Sequence, residues 1–317
     1  MNILANDGIS SVGIKKLENA GYTVITDKVA QDQLENYINQ NDVSCLLVRS
    51  ATTARKNLID ACPGLKLIGR GGVGMDNIDV SYARGKGLTV INTPAASSQS
   101  VAELVMGELF VLSRFMYDSF KNMENGEFSK LKKAYAKGSE LRGKTIGIVG
   151  FGRIGQSLAS YALGAGMNVI AVDQFNTNPV QINVPIGSDQ KVSVEITPKS
   201  NLNDVIADLD YISLHVPKQS DGSAVIGSAE FNQMKDGVKI VNAARGGVID
   251  EDALLEALNS GKIECIALDV YENEPNPRKD LLSHNKIACT PHIGAATKEA
   301  QDRIGEELAQ QIIDQFS

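Results

Sequence analysis

A chain of 317 residues, 43% of them hydrophobic and 22% charged, has room for two ordinary domains of roughly 150 residues each and the balance of a folded globular protein. Its net charge of -7 works against nucleic acid or an anionic membrane surface as a partner, since both reward a basic face. An anionic substrate would need a local positive pocket. The four cysteines (Cys45, Cys62, Cys265 and Cys289) show no CxxC spacing, so most are expected as buried reduced thiols, with no disulfide framework and no metal site. The N-terminus has no basic segment leading into an apolar core, and no apolar run reaches the length of a membrane span, so a cytoplasmic protein is expected.

Taken in chain order, short apolar runs alternate with helix-like segments. Strands are expected at 2–5, 22–26, 44–48, 65–69 and 88–91, with a helix over 9–20 that turns Ile14 and Leu17 to one face. The segment 99–117 is apolar nearly all round (Val101, Leu104, Val105, Leu109, Phe110, Leu112) and is expected as one buried helix, in a core or at a subunit interface. A second series of strands follows at 145–149, 168–172, 209–214, 238–242, 263–268 and 286–289. Between its second and third members, residues 174–203 are polar with strand-like alternation at 192–196, which predicts a long, partly irregular excursion. A last helix starts near Thr297 and carries Ala300, Ile304, Leu308 and Ile312 at four-residue spacing. The sequence stops soon afterwards, so no appended regulatory domain is expected. Strands alternating with helices predict βαβ units, parallel sheets and an α/β fold.

The strongest motif is Gly150-Phe151-Gly152-Arg153-Ile154-Gly155, placed after an expected strand and opening an expected helix. The first glycine permits a tight turn, the second lets backbone approach a pyrophosphate, and the third lets helix and strand pack closely. The helix N-terminus offers unpaired N–H groups to the phosphates. Asp173 follows Gly155 by eighteen residues, at the end of a strand, where an acidic side chain accepts hydrogen bonds from the adenosine ribose. A carboxylate there repels a 2′-phosphate, and Gln174, Phe175 and Asn176 bring no arginine. The expected cofactor is therefore NAD rather than NADP.

Moving hydride from a hydroxy acid to such a cofactor needs a base for the hydroxyl proton and a cation for the carboxylate. Only His215, His284 and His292 are available as histidine bases. His292 follows the last strand of the second series, Glu274 the one before it, and Arg245 the strand at 238–242. All three thus fall at carboxyl ends of expected parallel strands. A carboxylate bonded to the imidazole would fix its tautomer, and a guanidinium can grip a carboxylate with two hydrogen bonds. Each residue alone also has an ordinary role, as a solvated arginine, a turn glutamate or a backbone-bonding histidine.

From about residue 44 to 310 the chain resembles the D-isomer-specific 2-hydroxyacid dehydrogenases. The resemblance rests on the glycine fingerprint, Leu-His-Val-Pro (214–217), Asn-Ala-Ala-Arg-Gly (242–246), Ala-Leu-Asp-Val-Tyr-Glu-Asn-Glu-Pro (267–275) and Thr-Pro-His-Ile-Gly (290–294). It implies Arg245, Glu274 and His292 as the catalytic trio, with His292 as acid/base. It places Asp269 near the nicotinamide carboxamide. It also lines the cofactor with His215, Val216, Pro217, Ala243, Ala244, Arg245, His292, Gly294 and Ala295. It further implies two doubly wound parallel-sheet domains: a flavodoxin-like substrate domain of residues 1–97 plus 294–317 and a Rossmann NAD domain of residues 98–293. The active site would lie in the cleft, and a homodimer would form through the NAD domain.

Arg49 and Arg70 each end an expected strand of the first series, and Gly71-Gly72-Val73-Gly74 follows with backbone N–H groups suited to an anion nest. With Ser50, Gly72 and Val73 these are the expected substrate contacts, alongside Arg245 and His292. The stretches Val48–Thr52 and Gly69–Asp79 resemble the 3-phosphoglycerate dehydrogenase branch, which implies oxidation of that acid at the first step of serine biosynthesis. Weak or absent feedback by serine is then expected. The alternatives left open are a glyoxylate or hydroxypyruvate reductase, a D-lactate dehydrogenase, and a non-enzymatic NAD-sensing corepressor or scaffold.

Overall fold

The computed structural model describes residues 1–316 and divides the chain into two units, Met1–Ser100 joined by the segment from Ala295 onward, and Val101–Gly294. Among the described residues no helix is long and apolar enough to cross a membrane.

The first unit opens with β1 (Asn2–Ala5), α1 (Ser11–Asn19), β2 (Thr23–Ile25), α2 (Leu34–Gln40), β3 (Val43–Val48), α3 (Lys56–Ala61), β4 (Leu67–Arg70), α4 (Val80–Gly85) and β5 (Thr89–Asn92). Its sheet runs β2-β1-β3-β4-β5, every pair parallel. Successive strand residues point to opposite faces. Leu4, Leu46 and Ile68 therefore join a core with α2, α3 and α4, while Ile3, Cys45, Leu47 and Leu67 join another with α1 and the terminal helix. Burying a leucine or isoleucine of this kind is worth about 2 kcal/mol. Ser10 caps α1 by accepting the Gly13 N–H. Gly13 itself lies against Gly305, where a Cβ would stand 2.8 Å from the Gly305 carbonyl oxygen. That glycine pair lets α1 and the terminal helix approach closely.

The second unit begins inside α5 (Ser98–Ser113), followed by α6 (Met116–Asn122), α7 (Phe128–Ala134), β6 (Thr145–Val149), α8 (Arg153–Gly164), β7 (Asn168–Val172), β8 (Val180–Ile186) and β9 (Gln190–Ile196). It continues through β10 (Tyr211–Leu214), α9 (Ser228–Gln233), β11 (Val238–Asn242), α10 (Glu251–Ser260), β12 (Ile263–Leu268), α11 (Lys279–Ser283) and β13 (Ile287–Cys289). The chain then returns to the first unit as α12 (Lys298–Phe316), whose buried stripe includes Ala300, Ile304, Leu308 and Ile312. The second sheet runs β13-β12-β11-β10-β6-β7, again all parallel. Here α5 and α8 cover one face through residues such as Val105, Leu109 and Leu158, and α9 and α10 cover the other through Phe231 and Leu254. Both units are thus doubly wound α/β folds.

Two expectations about elements change. The helix expected over 99–117 ends at Ser113, because Phe115 adopts a left-handed backbone (φ 53°) and the Ser113 carbonyl accepts from Ser139 N–H instead of a residue one turn on. The polar excursion over 174–203 contains an ordered antiparallel hairpin, β8 paired with β9. It is attached to α8 by a 2.7 Å hydrogen bond from the Ser160 hydroxyl to the Asn183 carbonyl. Of the cysteines, Cys45, Cys62 and Cys265 are buried and Cys289 is exposed.

Candidate active site

In the second sheet the chain leaves β6 for β7 on one side and later returns to β10 on the other. The crevice at the carboxyl ends of β6 and β10 is therefore the topological switch point, where parallel sheets bind ligands. The glycine fingerprint occupies it. Gly150 takes φ 92° with its Cα against the His215 carbonyl, and a Cβ on Gly155 would collide with the Gly150 carbonyl. Gly152 is the N-cap of α8, and a Cβ built on it meets nothing within 4 Å. The exposed Arg153 and half-buried Ile154 open that helix. Asp173 closes the end of β7: one oxygen accepts Phe151 N–H at 2.9 Å, the other accepts Phe175 and Asn176 N–H at 3.0 Å. A carboxylate has about four acceptor positions, so it retains capacity for a ligand hydroxyl. Across the crevice stand His215 and Val216, with exposed Pro217 next. His215 Nε2 pairs with the Ser213 hydroxyl at 2.9 Å, and its sealed Nδ1 has no hydrogen-bond partner. Burial pushes this imidazole down to about 4, so it is neutral at ordinary pH and unsuited to be the base.

The trio comes from the ends of β11, β12 and β13. After β11 the Asn242 side chain accepts Ala244 N–H and donates to the Arg245 carbonyl, folding residues 243–245 into a tight turn. Gly246 presses directly on the Tyr271 carbonyl, a closeness that only glycine allows. Arg245 donates to the Ala244 carbonyl at 2.6 Å, and its charge acts on Glu274. Glu274 accepts Tyr271 N–H at 3.0 Å on Oε1 and pairs through Oε2 with His292 Nδ1 at 2.7 Å. Burial raises this carboxyl, but the His292 and Tyr271 hydrogen bonds and the nearby charges outweigh it and hold the group below its usual range. Glu274 is therefore a carboxylate at neutral pH and fixes the imidazole so that Nε2 is left for chemistry.

His292 sits at φ 54°, a left-handed conformation that costs a histidine of order 1 kcal/mol or more. The next two residues explain how it persists. Buried Asp269 accepts Ile293 N–H at 2.7 Å and Gly294 N–H at 2.8 Å, and the Thr290 hydroxyl lies 2.7 Å from the same carboxylate. Among the described residues no group of three or more His, Cys, Asp or Glu is placed to hold a metal ion.

In the first unit, Arg49 follows β3 and Arg70 ends the adjacent β4, so both stand at carboxyl ends of neighbouring parallel strands. The Arg49 stem lies along Gly71 and the Arg70 guanidinium lies on Gly72. Ser50 and Val73 are exposed. The four-residue nest is smaller than expected: Gly71 N–H is already donated to Val48 and Gly72 N–H to Arg70, which leaves Val73 and Gly74 as candidate donors.

The family model described as "D-isomer specific 2-hydroxyacid dehydrogenase, NAD binding domain" matches residues 106–294. The chain belongs to that family. It is an NAD-dependent oxidoreductase of 2-hydroxy acids. This dehydrogenase is 43% identical over 292 residues to a hydroxypyruvate reductase of Thermotoga maritima, covering 91% of this chain and 89% of the relative. It is 40% identical over 312 residues to a D-3-phosphoglycerate dehydrogenase of Methanocaldococcus jannaschii, covering 98% of this chain but only 57% of the relative. Among solved structures it resembles a D-2-hydroxyisocaproate dehydrogenase at 26% identity and a TM-score of 0.80, with 99% and 96% of the two chains covered.

NAD fits what the second unit of the dehydrogenase offers. The space over Gly152 would be filled by any Cβ, the first turn of α8 presents its N–H groups, and across the crevice His215 is neutral, its pKa pushed down to about 4 by burial. Three side chains in the structure escaped the sequence reading. Asn242 shapes the Arg245 turn. Asp7, at the end of β1, accepts Arg49 N–H at 2.7 Å. Glu108 is buried in α5 beside Thr290. The signal for Glu108 was a second carboxylate, after Glu103, within the otherwise apolar run of α5, whereas Asp7, two residues past β1, carries no sequence signal of its own.

Proposed function

We propose that this dehydrogenase oxidises D-3-phosphoglycerate at its 2-hydroxyl to 3-phosphohydroxypyruvate, the first step of serine biosynthesis in the cytoplasm. The observation that carries the reading is the pair of arginines at the adjacent ends of β3 and β4, above a glycine turn with two unspent N–H groups. Arg49 has no acidic partner among the described residues, which suits a side chain kept for a mobile dianion. In this reading His292 Nε2 takes the hydroxyl proton, and the Glu274 carboxylate stabilises the imidazolium that results. Arg245 holds the substrate carboxylate and polarises the forming carbonyl. Bound NAD supplies the acceptor for the hydride. Asp173 holds the adenosine ribose, and Asp269 keeps the His292 loop in place.

A second reading, reduction of hydroxypyruvate by the same trio run in reverse, is favoured by the Thermotoga maritima relative. NAD reduction with D-3-phosphoglycerate, with the keto acid trapped, separates the two. The expected result is turnover whose KM rises about 100-fold in Arg70→Ala, the loss of one charge-assisted anion contact. No turnover on the phosphorylated acid, with rapid oxidation of NADH by hydroxypyruvate, would move the substrate to the unphosphorylated class. In either case His292→Ala should lower kcat by about 10²- to 10⁴-fold.

A homodimer through the NAD-binding unit is part of the same reading. Its support is the apolar surface of α5, α6 and α7, where Phe110, Phe120, Met123 and Phe128 are exposed. Light scattering on the protein and on Phe120→Glu tests it; a monomer in both would reject it.

A further inference from the structure

Glu108 stands in α5 at 6% exposure, on a helix that carries apolar side chains on nearly every face. Its Oε1 lies 3.3 Å from the Thr290 hydroxyl, and its Oε2 is sealed from solvent without a hydrogen-bond partner. The same hydroxyl lies 2.7 Å from Asp269 Oδ1, an oxygen that also accepts Ile293 N–H, while Oδ2 accepts Gly294 N–H. A threonine hydroxyl has one proton to give. Asp269 already satisfies two amides as an acceptor-only carboxylate, and it is the nearer of the two acids, so it receives that proton. The Thr290–Glu108 contact is then a hydrogen bond only if Glu108 brings a proton of its own. An ionised Glu108 would set a second buried negative charge, with one oxygen unpaired, beside Asp269.

We propose that Glu108 is held protonated and acts as a positioning residue: it donates to Thr290, Thr290 donates to Asp269, and Asp269 clamps the backbone on the far side of His292. The chain of three side chains gives the left-handed His292 its fixed direction. Its catalytic consequence rests on the dehydrogenase reading above, whereas the proton on Glu108 does not. Burial first, and the Asp269 charge second, push the Glu108 carboxyl up to about 8. The other titratable groups that feel it are the Tyr271 hydroxyl and the Cys289 thiol, both neutral at physiological pH because burial raises them. Among the described residues, the charge that acts on it is the negative one of Asp269, which disfavours the ionised form. Raising pH through that value should therefore place two like charges behind the loop and loosen it.

Infrared spectroscopy of the intact protein tests the proton directly. The expected result is a protonated-carboxyl stretch at neutral pH that converts to carboxylate on alkaline titration and is missing from Glu108→Gln. In kinetics, Glu108→Gln, which keeps a neutral donor, should stay within about twofold of the parent kcat and lose the alkaline fall in turnover. Glu108→Ala should lower kcat by about tenfold or more with little change in KM, as expected for a misplaced base. Thr290→Val cuts the same chain one link on and serves if Glu108→Ala does not fold. Absence of the carboxyl band from the parent protein, or Glu108→Gln as impaired as Glu108→Ala, would overturn the proposal. A parent protein that turns over no 2-hydroxy acid would reject the function while the band still decides the protonation.

Discussion

The two parallel sheets reverse direction beside their first strands, and what fills the crevice there differs. In the second unit the crevice between β6 and β10 is walled by glycines and left open above Gly152. In the first unit the equivalent crevice lies between β1 and β3, and Asp7 fills it. One Asp7 oxygen accepts Arg49 and Thr52 N–H, and the other takes the Thr52 hydroxyl and an ion pair with Lys28. Asn6 adds buried hydrogen bonds to Val29 and Thr52. The fold alone would allow a ligand at either switch point. The side chain at the end of the first strand decides which crevice is free for a dinucleotide and which becomes a fixed support for Arg49.

The largest effect that would break this contrast is a single methyl group. Gly152→Ala meets no protein atom and has an ordinary φ of -75°, so the melting temperature should be unchanged. The methyl would occupy the phosphate approach, and NAD affinity by calorimetry should fall about 100-fold. Unchanged affinity would mean that the space over Gly152 is not where the pyrophosphate lies. The mirror experiment is Asp7→Ala, which leaves buried N–H groups unpaired and should cost about 2 kcal/mol in urea unfolding with NAD affinity untouched.

The smallest effect sharpens the comparison by pH. His215 is depressed by burial from 6.5 to about 4, so its neutral form contributes stability that is complete above 6.5 and drains away as pH falls through 4. Burial raises Asp7, but its hydrogen bonds to Lys28, Arg49 and Thr52 lower it further, so its contribution survives down to 3.8 and is lost only below. Hydrogen exchange on acidification should therefore rise first around the second crevice and later around the first. His215→Gln should remove the earlier phase.

Legibility from sequence follows the same divide. The open crevice was readable because glycines in a strand–turn–helix context have few other uses, and the trio because each member lies in the loop after an apolar strand. The filled crevice was not, since Asp7 lacks any repeated spacing and reveals itself only when Arg49 and Thr52 are brought beside it. Glu108 was hidden by its neighbours: Leu109, Leu112 and Val105 fixed the reading of the helix as core, and one carboxylate did not alter that pattern. The break at Phe115 has no glycine or proline to announce it, and comes from a long-range hydrogen bond to Ser139. The β8–β9 hairpin keeps few of its side chains buried, Ile182 and Ile196 among them, so its alternation was too weak to place both strands.

That hairpin also changes what β7 presents to the outside. β7 is the last strand of its sheet, and a bare border of backbone N–H and C=O groups is a template on which other chains can stack. As the chain comes back from β9, Lys199 donates its N–H to the Ala171 carbonyl and accepts from Asp173 N–H, bridging to Val172. A single residue with a charged side chain thus occupies the exposed selvage beside Asp173. A shortened variant that joins residue 176 to residue 201 would strip away this guard, and its first failing would be fibrous self-association in concentrated solution.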